Sequence, residues 1–89
     1  MQQMMRQAQE MQKQMDKIKA ELAETAIEAT SGGGMVTVEM TGAYELINLK
    51  IKPEVIDADD PEMLEDLVIA AVNEALNQVT QLRAEKLPV

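Results

Sequence analysis

The sequence predicts an α+β fold in a single domain: a helix over about residues 2–24, a three-stranded antiparallel β-meander over about 25–52, an acidic connection at 53–60 and a second helix over about 61–86. Three observations carry this. Apolar residues recur at helical spacing from Met4 to Leu22. Two runs, MVTVEMT and ELINLKI, alternate apolar and polar residues, and glycines punctuate them. After Asp60-Pro61 the apolar residues again return every three or four positions, as far as Leu82. Period two marks a half-buried strand and period 3.6 an amphipathic helix, so the chain divides into helix, sheet and helix.

In the first segment Met4, Ala8, Met11, Met15, Ile18 and Leu22 follow a 4-3-4-3-4 spacing. That is the heptad seam along which one helix lies on another. Gln, Glu and Lys, all good helix formers, fill the rest. At 1.5 Å per residue the helix is ~34 Å long. Its apolar stripe is narrow, which suits a projecting arm better than a helix sunk in a core. Met is a flexible gap filler, and regular spacing favours packing, within the chain or across a dimer, over an open groove for clients.

Thr25–Thr30 is expected to form the first strand, with Ile27 and Ala29 on one face. Ser31–Gly34 connects it to Met35–Thr41, where Val36, Val38 and Met40 point inward and Thr37, Glu39 and Thr41 outward. Gly42 and Ala43 make the next turn. Tyr44–Lys52 places Ile47, Leu49 and Ile51 on one face and Asn48, Lys50 and Lys52 on the other. Pro53 cannot donate to a ladder and ends the strand. Asp60 then reads as a helix N-cap, with Pro61 at the first helical position and Glu62 in the first turn. The apolar face of this last helix is wide from Leu64 to Leu76 and narrows to Val79 and Leu82. The first half is therefore expected to cover the sheet and the second half to project as another arm.

Composition limits what the domain does. With no Phe, no Trp, one Tyr and eight Met, it has thin core materials, and a domain of 89 residues buries only about 60–65% of its unfolded surface. A second copy of the chain is the expected cover. The absence of His and Cys removes the commonest general base, metal ligands and thiol chemistry. No serine or threonine has a plausible base, so no enzyme, metal or cofactor is expected. The polar start MQQMMRQAQE is unlike a signal peptide, and no apolar run is long enough to span a bilayer, so a cytoplasmic protein is expected.

The net charge of −8 is unevenly spread. Residues 53–66 hold seven acids and no base, whereas residues 1–22 hold four bases against three acids. Asp57–Glu62, DADDPE, does not meet the spacing of an EF-hand loop and already has a use as a helix cap. The SGGG stretch opens a strand, whereas a phosphate-cradling glycine loop opens a helix, so it reads as a hairpin turn needing positive φ. On the first helix Arg6, Lys13 and Lys17 form a row ~16 Å long opposite the Met seam, on the scale of several phosphate repeats. By itself such a row is more often a solvated face with pairs such as Arg6–Glu10 and Lys17–Glu21.

Taken in order, QAQEMQKQM (Gln7–Met15), GGGMVTVEMTG (Gly32–Gly42), IKPEVID (Ile51–Asp57) and MLEDLVIAAVNEAL (Met63–Leu76) resemble the YbaB/EbfC family of small bacterial nucleoid-associated proteins. The resemblance implies a tweezer-like homodimer whose helical arms bind duplex DNA without an enzymatic step, and a nucleoid location. It implies an arm role for Arg6, Lys13 and Lys17, and for Arg83 and Lys86 at the end of the last helix. Contacts to phosphates with little base readout, and strong salt sensitivity, are the expected mode. The alternative from the residues themselves is a prefoldin-like holdase or protein-interaction module that grips apolar partners with Met-rich arms.

Overall fold

A computed structural model describes residues 1–87. Helix α1 (Gln2–Glu24) leads into strands β1 (Ala26–Ser31), β2 (Val36–Thr41) and β3 (Leu46–Ile51), followed by a short 3-10 turn at Pro53–Val55 and helix α2 (Pro61–Lys86). The strands form one antiparallel sheet in the order β1-β2-β3. The chain measures 68 × 18 × 17 Å, an elongated body with α1 standing off one end.

Alternation selects the core. Ala29 of β1 and Val36, Val38 and Met40 of β2 are buried, and α2 lies across these two strands with Ala71, Ala75 and Val79 against them. Small residues every fourth position let the α2 backbone approach the sheet closely. The register pairs Ile27 with Met40 and Ala29 with Val38, so the first strand turns its apolar side to α2 as well. Asp60 caps α2, its carboxylate accepting from Met63 N–H at 3.3 Å.

The hairpin between β1 and β2 explains the glycine run. Gly32, Gly33 and Gly34 all have left-handed φ, +61°, +69° and +95°, which side chains disfavour. The Ser31 hydroxyl donates to the Leu67 carbonyl, and Gly32 lies against the Leu67 side chain, so the turn is fastened to α2. It is a structural hairpin.

Four expectations need correction. Thr41 is buried, not outward, because its hydroxyl oxygen turns in to accept from the amides of Ala43 and Glu45, each at 3.2 Å. The register slips between Glu39 and Met40, so Met40 pairs with Leu46 and Ile47 drops out of the ladder, while Leu49 and Ile51, opposite Val38 and Val36, keep the expected shared face. Strand β3 starts at Leu46 because the turn from Gly42 takes in Tyr44, whose φ is +63°. The second half of α2 does not project: Val79 is fully buried, the Thr80 hydroxyl meets the Tyr44 hydroxyl at 2.6 Å, and Arg83 bonds to the turn after β2. One apolar residue per turn is enough to hold a helix down when the sheet offers it a socket.

Candidate nucleic-acid interface

The arm is α1. From Met1 to Gln14 every residue is exposed. Arg6, Lys13, Lys17 and Lys19 all reach solvent from it. The first three share one side of the helix, since steps of seven and eleven residues return nearly to the same angle at 3.6 residues per turn. The side chain of Gln12 bonds along the helix to Asp16 at 3.0 Å.

On the opposite side the apolar seam is covered only at its root. Leu22 is buried and Met15 and Ile18 are half-buried, whereas Met4 and Met11 are 73% and 58% exposed. The root is anchored at Gly42. Its N–H donates to the carbonyls of Leu22 and Thr25, both at 2.9 Å, and it packs so closely on Leu22 that an added Cβ would lie 2.5 Å from the Leu22 oxygen. A groove of about 350 Å³, lined by Ile18, Glu21, Leu22, Thr25, Leu82 and Lys86, opens between this root and the end of α2.

The structure therefore separates the five cations that sequence reasoning grouped. Arg6, Lys13 and Lys17 lie together on the arm. Lys86 sits on the rim of the root groove. Arg83 is half-buried and engaged: its Nη1 donates to the Gly42 carbonyl at 2.8 Å and its guanidinium carbon lies 5.4 Å from the centre of the Tyr44 ring. Two further cations, Lys50 and Lys52, border a shallow groove with Thr37 and Gly34. The register places them at the end of the sheet away from the arm, where the start of α2 and its acids also lie.

Charge is thus graded along the molecule. The arm carries four bases balanced by four acids (Glu10, Asp16, Glu21 and Glu24), and the far end holds the acidic run from Asp57 to Asp66. Among the described residues no group of three or more acidic side chains is placed to hold a metal ion; Asp57 and Asp60 instead accept backbone N–H bonds from Asp59 and Met63. No helix among the described residues is long and apolar enough to cross a membrane. What sequence reasoning missed is the Gly42–Tyr44–Arg83 junction. Its only sequence signal is the single aromatic residue placed directly after a Gly-Ala turn.

The chain is similar to known proteins in sequence and in fold. Residues 1–88 match the model of the YbaB/EbfC DNA-binding family. A nucleoid-associated protein of Chloroflexus aurantiacus is 48% identical over 85 residues, spanning 96% of this chain and 85% of its own. One from Acetivibrio thermocellus is 49% identical over 79 residues, spanning 89% of this chain and 70% of its own. The crystal structure of the uncharacterized protein HP0035 from Helicobacter pylori superposes with a TM-score of 0.86 at 26% identity, covering 96% of this chain and 89% of that one.

Proposed function

The chain belongs to the YbaB/EbfC DNA-binding family, and from that premise we propose that it is a nucleoid-associated protein that binds duplex DNA with low sequence specificity, as a homodimer, through phosphate contacts from α1. The observation that carries the proposal is the Arg6–Lys13–Lys17 row, exposed on a helix that stands clear of the body. Lys13 and Lys17 are point charges on flexible stems whose spacing fits a line of phosphates, and Arg6 is the row's single bidentate fork, too little for extended base readout. The acidic far end repels DNA and turns the arm toward it.

The open edge of the sheet supports the dimer. Strand β3 is a sheet edge, and Leu46, Ile47 and Leu49 on it are all exposed. An apolar edge strand of this kind is a template for pairing unless covered. A second copy against β3 covers it and brings two arms into one particle, which doubles the phosphate contacts. With three contacts from each arm, the slope of log K against log salt is about −5.

A gel-shift titration with several unrelated duplexes in low salt tests the proposal. The expected result is a similar shift for each. The absence of any shift at roughly tens of micromolar protein, within the usual range of non-specific binding, would end it.

A further inference from the structure

We infer that Arg83 is a positioning residue for DNA binding: it ties the end of α2 to the turn that holds the root of α1, and so sets the direction in which the basic row points. This deepens the DNA-binding reading above and rests on it.

Gly42 is the joint. Its amide holds the arm, donating to Leu22 and Thr25, while its carbonyl receives Arg83. One residue therefore joins α1, the β2–β3 turn and α2. The turn is itself closed by four bonds. Thr41 N–H donates to the Glu45 carbonyl at 2.8 Å and Tyr44 N–H to the Thr41 carbonyl at 3.0 Å. The Thr41 hydroxyl oxygen accepts from Ala43 and Glu45. Tyr44 sits at φ +63°, a left-handed conformation uncommon for a bulky residue. Such a conformation persists where the surroundings over-determine it. Here its ring lies beneath the Arg83 guanidinium and its hydroxyl meets that of Thr80.

The chemistry suits arginine in particular. A planar guanidinium donates in its plane while stacking on an aromatic face; an ammonium is a compact, strongly hydrated charge that does not do both. Arg83 is half-buried at the foot of the arm, away from the row formed by Arg6, Lys13 and Lys17. One of its five N–H donors and one face serve the junction, and its contribution to binding passes through the arm it aims.

The test uses the absence of cysteine from the chain. Gln3→Cys on the arm and Asn73→Cys on α2 carry a nitroxide pair, and the labelled protein is diluted into unlabelled chain so that intramolecular distances dominate. Arg83→Lys keeps the charge and removes the stacked fork; Tyr44→Asn keeps the charges and tolerates the left-handed φ. Both should broaden the arm-to-body distance distribution. If the binding-competent orientation falls to about a tenth of the population, the affinity for a short duplex weakens about tenfold. The salt slope should stay at the parental value, because no phosphate contact is lost.

An Arg83→Lys protein with the parental distances and affinity overturns the inference. So does an Arg83→Gln protein with parental distances and a salt slope smaller by about two, one contact from each protomer, which would make Arg83 a phosphate contact. Should Arg83→Lys fail to unfold cooperatively, Tyr44→Asn decides the question by the same two readouts. A parent protein that shifts no duplex refutes the DNA-binding reading, while the distance measurement still decides the junction.

Discussion

Gly42→Ala tests whether the arm is held by space or by backbone conformation. Gly42 is not among the glycines with left-handed φ, so an alanine there meets no conformational penalty of that kind. The obstacle is contact: the new Cβ would lie 2.5 Å from the Leu22 oxygen, 2.9 Å from Leu22 Cβ and 3.0 Å from the Leu22 carbonyl carbon. All three atoms belong to the backbone or are fixed directly to it, so no rotamer change relieves them. Relief requires the root of α1 to move off the turn, which stretches the two Gly42 N–H bonds and lifts Leu22 from its buried seat. Overpacking of this type costs about 1–3 kcal/mol, and the rigid contacts place Gly42→Ala near the middle, at about 2 kcal/mol. In a domain of this size each kcal/mol moves Tm by about 4–8 °C, so Tm should fall by about 8–16 °C.

Thermal unfolding followed by circular dichroism measures this, at matched protein concentration because the proposed dimerisation would make Tm concentration-dependent. Gly33→Ala is the control. Its φ is +69° and nothing lies within 4 Å of the added carbon, so its cost is purely conformational, about 1 kcal/mol. Asn at the same position, which visits the left-handed region more readily, should recover part of that loss. A Gly42→Ala protein that melts within about 2 °C of the parent would refute the steric argument. So would a Gly33→Ala protein that is the less stable of the two.

Four further outcomes follow from the same geometry. Lys13→Ala and Lys17→Ala should each lower the salt slope of DNA binding by about two, because each removes one contact from both arms. Reversing both to Glu should abolish the gel shift while Met11→Gln leaves it intact; a client-aggregation activity that survives the two reversals and is lost with Met11→Gln favours the protein-interaction reading of the Met seam. If the proposed dimer forms through β3, Leu49→Lys on that exposed edge strand should leave the protein monomeric in sedimentation or light scattering without loss of helical content, and a persistent dimer would move the interface elsewhere. Asp60→Ala removes the bond to Met63 N–H and should cost about 1 kcal/mol of stability, read as a fall in Tm of about 4–8 °C.

The sequence by itself determined the helix–meander–helix order, the Met seam, the N-cap of α2 and the inward set Val36, Val38 and Met40. These are properties of contiguous residues: a period, a cap and a turn are each written within a few positions, and helices and strands respond to them locally. It also placed the three arm cations on one side of α1, since helical angle follows from spacing alone. Tertiary structure decided the rest. Thr41 alternates outward on paper but turns in because two amides of its own turn need an acceptor. The slip that sets Leu46 opposite Met40 depends on how that turn closes. Arg83 looks like one more basic residue at a helix end until the fold brings it to Gly42, 41 positions away in the chain. Contacts across such separations leave no periodic trace in the sequence, and they determine which end of the molecule is free to act as an arm.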